Sequence, residues 1–128
     1  MDWKILVVED EQGMRSFYQA FFKLRGFSIA CASSVEEAIT YSESHPIKLV
    51  VLDLAMPERN GEEFFDYVNH LHPDTYIIVA TGYPTPSMLR KIAAKENARL
   101  FVKPFSVDEV CEEAISVLSS MVPQAQVG

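Results

Sequence analysis

The chain has 128 residues, 48% of them hydrophobic and 23% charged, with a formal net charge of −7. That length and balance describe one globular domain with a real core, not a disordered segment. The acidic excess argues against direct binding to a nucleic-acid backbone, which calls for a basic stripe, and no apolar run approaches the roughly 18 residues that span a bilayer. The opening "MDWKILVVEDE" meets acids too early for a secretory leader, so a cytoplasmic protein with no membrane contact is expected. Cys31 and Cys111 have no metal or redox spacing and read as reduced, packed thiols.

In chain order, "WKILVV" (3–8) is strand-like. "EQGMRSFYQAFFKLRG" then places Met14, Phe17, Tyr18, Phe21, Phe22 and Leu24 at helical spacing, with Gly26 as the stop. "FSIACA" (27–32) reads as a second strand, followed by a helix in "SSVEEAITYSESHP" capped by Ser33 or Ser34 and ended before Pro46. "IKLVVL" (47–52) is almost continuously apolar, as a strand covered on both faces must be. "NGEEFFDYVNHLHP" is a helix, "YIIVAT" a fourth strand, "SMLRKIAAKEN" a helix, and "RLFV" a short fifth strand. "SVDEVCEEAISVLSSMV" is a last helix with acids in its first turns, as the helix dipole prefers. His45, His70 and His72 lie near predicted helix ends and read as loop or cap residues. Five βα units imply a doubly wound α/β domain with helices on both faces of a parallel sheet. The domain is expected over residues 1–122, with 123–128 as a frayed end or the start of a linker.

Ligands of open parallel sheets bind beyond the carboxyl ends of the strands. Those ends carry Glu9 and Asp10, then Asp53, Thr81 and Lys103. Asp53 closes the apolar run "VVLDLAMP", where an uncompensated charge is costly. Three close carboxylates repel one another by roughly 4 kcal/mol per pair at an effective dielectric of about 20. A hard divalent cation relieves that repulsion, and oxygen ligands suit Mg²⁺. Each residue also has a plainer reading: Glu9 and Asp10 as helix caps, Thr81 as a strand end, Lys103 as a surface lysine.

The chain resembles the receiver domain of two-component response regulators over residues 3–120. The resemblance rests on "ILVVEDE" (5–11), "VVLDLAMPERNG" (50–61), "IIVATG" (77–82) and "FVKPF" (101–105), in receiver order and spacing. It implies a flavodoxin-like sheet of order 2-1-3-4-5. It implies that Asp53 accepts a phosphoryl group from a sensor histidine kinase or phosphotransfer protein. Asp10 and Asp53 would then ligate Mg²⁺ directly, Glu9 would do so through water, and the backbone carbonyl of Ala55 would complete the set. Thr81 resembles the switch hydroxyl and Lys103 the phosphoryl-binding ammonium. Pro104 follows a bond that is often cis in the family, and Gly61 would turn the chain into the third helix. The whole would be a self-phosphorylating, self-dephosphorylating switch rather than a turnover enzyme. It would signal to a downstream target or effector domain through its fourth helix, fifth strand and fifth helix, with homodimerisation on phosphorylation as one outcome.

Other classes fit less well. An aspartyl-nucleophile phosphatase wants a second Asp two residues on, where this chain has Ala55. A nucleotide binder wants GxGxxG or GxxxxGK, which the five glycines do not form. A degenerate receiver that docks partners without phosphorylation is the remaining alternative. Three finer expectations concern the chain's departures from the pattern. Ala55 and Tyr83 flank the path of a hydrolytic water, and the Tyr83 ring is expected to shield the site. Pro84 and Pro86 stiffen "TGYPTPS", with Thr85 as cap and Pro86 at the first helical position. The position three before the lysine, usually aromatic, is Leu100. Phe101, one residue on, should face the opposite side of the sheet as plain core.

Overall fold

Strand and helix alternate through the computed structural model, which describes residues 5–54 and 61–121. The order is β1 (Ile5–Val8), α1 (Gln12–Leu24), β2 (Ile29–Ala32), α2 (Val35–Ser44), β3 (Leu49–Leu52), α3 (Gly61–Leu71), β4 (Tyr76–Thr81), α4 (Pro86–Ala94), β5 (Ala98–Val102) and α5 (Val107–Ser120). All five strands are parallel, in the expected order β2-β1-β3-β4-β5. Every residue of β1 and β3 is buried, which explains their unbroken apolar runs. The expectations for Trp3, Lys4, Ala55 and the tail lie outside the described residues.

Strand alternation splits the core in two. Leu6, Val8, Val50, Leu52, Ile77 and Val79 face α2, α3 and α4, packing on Val35, Ala38, Phe64, Phe65, Val68 and Met88. Ile5, Val7, Leu49, Val51 and Ile78 face α1 and α5, packing on Tyr18, Phe22, Val110, Cys111, Ala114 and Leu118. Cys111 is therefore core, Cys31 is half-buried, and both are free thiols.

Local chemistry sets the element ends. Gly26 adopts φ +83°, and the N–H groups of Gly26 and Phe27 donate to the carbonyls of Lys23 and Phe22. This is a Schellman closure, and it delays β2 to Ile29, two residues later than the sequence pattern implies. Ser34 is the cap of α2, accepting from the Glu37 N–H at 3.1 Å, while Glu37 accepts from the Ser33 N–H at 2.9 Å. Thr85 caps α4 through the Met88 N–H at 3.1 Å with Pro86 at the first helical position, as expected. Helix α4 stops at Ala94 rather than at Asn97, because the Asn97 carbonyl instead accepts from the Ile77 N–H of β4. His45, His70 and His72 do lie at or just past helix ends.

Candidate functional site

The sheet ladder continues one residue past its strands into the site. The Glu9 N–H donates to the Ala32 carbonyl at 3.0 Å, the Asp53 N–H to Val8 at 3.0 Å, and the Lys103 N–H to Thr81 at 2.9 Å. Sheet pairing therefore fixes the backbone of four of the five predicted residues, Thr81 being itself the last residue of β4. Asp53 and Glu9 are each only 6% exposed, Thr81 is buried, and Asp10 is exposed at the rim.

Carboxylate oxygens of Glu9, Asp10 and Asp53 lie within 4.8 Å of one another. Burial, with the charges of Asp53 and Asp10 adding to it, lifts the Glu9 carboxyl to about 7, although the Glu11 N–H it accepts from pulls the other way. Such a crowded all-oxygen cluster fits a hard divalent cation in its donor chemistry. The Lys103 ammonium stands 4.0 Å from Asp53 Oδ2, within Coulombic reach but beyond hydrogen-bond length. Thr81 Oγ1 accepts from the Tyr83 N–H at 3.4 Å, and the Lys103–Pro104 bond is cis. Glu11, Met14, Gly82, Tyr83, Lys103 and Phe105 border a groove that opens beside Lys103.

This convergence on one sheet edge, in this strand order, is what the family resemblance implied. The profile described as "Response regulator receiver domain" matches residues 5–115. The chain belongs to the response regulator receiver family. Receivers are signalling switches of two-component systems. The "Response regulator receiver protein CpdR" of Brucella abortus is 25% identical over 115 residues, covering 90% of this chain and 96% of that protein. The "Sporulation initiation phosphotransferase F" of Bacillus subtilis is 29% identical, covering 86% of this chain and 89% of that one. The "Sensor kinase CckA" of Brucella abortus is 30% identical over 83% of this chain, which spans only 11% of that kinase. Among solved structures, a CheY-like receiver from Methanospirillum hungatei superposes with a TM-score of 0.83 at 21% identity, over 100% of both chains.

Several features of this receiver were not anticipated. The Arg15 guanidinium donates to the Glu9 carbonyl at 2.9 Å, bracing the acidic loop from the first turn of α1. Gly61 serves by close approach: its N–H donates to the Leu54 carbonyl at 2.9 Å, and an added Cβ would meet the Asp53 carbonyl oxygen at 2.5 Å. Tyr83 is 90% exposed, so in this form its ring does not shield the site as expected. As strand alternation predicted, Leu100 packs on the α2–α3–α4 side, whereas Phe101 packs on the α1–α5 side with Phe105, their rings 6.5 Å apart edge to face. Among the described residues no helix is long and apolar enough to cross a membrane.

Proposed function

We propose that this receiver is phosphorylated on Asp53 in a Mg²⁺-dependent reaction and switches its own conformation to control a downstream partner. The observation that carries the reading is the cluster of three carboxylates within 4.8 Å, faced by Lys103 at 4.0 Å from Asp53. Asp10 and Asp53 would hold the cation directly and Glu9 through water; the Ala55 carbonyl, expected to complete the set, lies outside the described residues. Bound there, Mg²⁺ supplies positive charge to offset the acids and the incoming phosphoryl group.

The chain's own groups supply the rest. The Asp53 carboxylate is the nucleophile, held by its backbone bond to Val8 at the mouth of the site. Its oxygen bonds to phosphorus as the P–N bond of a donor phosphohistidine breaks, and the imidazole leaves with a proton. The Lys103 ammonium and Thr81 hydroxyl bind phosphoryl oxygens and hold them against the developing charge. The half-exposed Lys103 side chain can follow the phosphoryl group, while buried Thr81 must be approached by it or carried toward it. A sensor histidine kinase or phosphotransfer protein is the donor class, in keeping with a sensor kinase and a phosphotransferase among the relatives. The output is a protein partner or effector domain.

Acetyl phosphate and Mg²⁺ should add one phosphoryl group, read by intact mass. Asp53→Asn should abolish it, and excess chelator should suppress it. Equal labelling of Asp53→Asn would overturn the assignment, and full labelling in chelator would overturn the metal dependence.

A further inference from the structure

Helix α4 is thinly anchored by apolar contact. Met88 is its one fully buried side chain, and Leu89 is exposed. What holds it to α3 is a polar ladder. Glu62, Asp66 and Asn69 recur along α3, and Ser87, Lys91 and Lys95 along α4, both at the spacing that aligns side chains on one helix face. Glu62 Oε2 accepts from Ser87 Oγ at 2.7 Å and from Lys91 Nζ at 2.6 Å, and Lys91 also donates to Asp66 at 2.9 Å.

The two ends of the ladder differ in kind. At the far end, Lys95 Nζ donates to Asn69 Oδ1 at 3.1 Å and to the Pro73 carbonyl at 3.0 Å. Asn97 Nδ2 adds bonds to the carbonyls of Pro73 at 3.0 Å and Thr75 at 3.1 Å. These anchors are mostly backbone, just ahead of β4. The near end centres on the Glu62 carboxylate, which takes both Ser87 and Lys91 and sits beside the phosphoacceptor, with Asp66 sharing Lys91. Glu62 directly follows Gly61, whose N–H is bonded to Leu54, and Leu54 follows Asp53. A single residue thus joins the phosphoacceptor strand to the first two turns of α4.

We infer that Glu62 is a latch holding α4 in its resting position, and that the Lys95–Asn97–Pro73 contacts are the pivot about which α4 turns when it is released. The inference rests on the phosphoacceptor reading for its trigger. Thr81 ends β4 and Thr85 opens α4, so a displacement of Thr81 toward a phosphoryl group is passed to the near end of α4 through three residues. That end cannot move without parting Ser87 and Lys91 from Glu62. The latch therefore weights the equilibrium toward the resting position. By linkage, removing it must favour whatever binds the released one.

The test uses the full chain with beryllofluoride and Mg²⁺ as the phosphoryl mimic. Affinity is followed by amide shifts, and hydrogen exchange of residues 88–94 is measured before the mimic is added. Glu62→Gln and Lys91→Met should each bind the mimic about three- to fivefold more tightly, the scale of one partly exposed ion pair. Both should exchange faster in α4 while β4 stays protected. Unchanged or weaker binding overturns the latch, as does unaltered α4 exchange in both variants. If wild type fails to bind the mimic while α4 exchange still quickens in the variants, the phosphoacceptor reading falls and the latch stands. Asn97→Ala tests the pivot: it should loosen the Pro73 end without tightening the mimic, and a gain equal to that of Glu62→Gln would overturn the assignment of the two ends.

Discussion

A methyl group at position 61 would press on the Asp53 carbonyl and on Leu54 Cα at 2.7 Å, both of them backbone with nowhere to retreat. Gly61→Ala should therefore lower stability by about 1–3 kcal/mol, seen as a lower urea midpoint, and should slow labelling by acetyl phosphate. An unchanged midpoint would mean the helix start can drift away from Asp53. Tyr83 leads to the opposite expectation. With its ring almost wholly in solvent, Tyr83→Ala should alter the decay of the aspartyl phosphate by less than about twofold, as for ordinary surface changes. A large acceleration would show that the ring folds over the site after phosphorylation. At this scale Asp53 and Lys103 were legible because each ends an apolar strand, where a charge demands a reason. Arg15 and Glu62 were not, because their partners are a backbone carbonyl and a second helix. Spacing within one helix does not reveal either contact, although Glu62 and Asp66 set against Lys91 and Lys95 offered a hint.

Strand β5 and the α3–α4 pair each make a claim about the element. Alternation along β5 was readable in the sequence, and the split of Leu100 and Phe101 between the two cores follows from it. Leu100→Ala should weaken the shift response of α4 to beryllofluoride, and Phe101→Leu should leave it intact while reducing stability through the lost Phe105 contact. A response that collapses only in Phe101→Leu would make Phe101 the switch. The ion pair between α3 and α4 has a defined pH window. Lys91 and Ser87 hold the Glu62 carboxyl below its ordinary 4.5, and Glu62 with Asp66 holds the Lys91 ammonium above its ordinary 10.5. A depressed acid contributes fully above its unfolded value and fails as pH falls through the folded one; a raised amine contributes fully below its unfolded value and fails as pH rises. The extra α4 protection of wild type over Lys91→Met should therefore be flat from about pH 5 to 10 and fade at the acid end. A change between pH 6 and 8 would point to a different titrating group. The Gly26 stop was legible, but other element boundaries were not, since Asn97 and Thr75 act through contacts made only after folding.

For the molecule as a whole, a cation that binds the acidic cluster must also stabilise the fold, because the unfolded chain does not hold those carboxylates together. Millimolar Mg²⁺ should raise the melting temperature of wild type and have little effect on Asp10→Ala; equal gains in both would place the ion elsewhere. Strand order was legible only through the family resemblance and the two-sided core through the continuous apolar runs of the central strands, while the cross-helix polar contacts were written nowhere in the local pattern. The backbone bonds from Glu9 to Ala32, Asp53 to Val8 and Lys103 to Thr81 have one more consequence. They belong to the sheet rather than to any helix, so a helix end can fray without dismantling the acids and the lysine. The Asp53 amide, bonded between two central strands, should then exchange only through complete unfolding, and the Glu9 and Lys103 amides, bonded at the edge strands, somewhat sooner. The receptor half of the switch would persist in partly opened forms that have already lost the responding half, and such forms could be charged with phosphate yet remain silent.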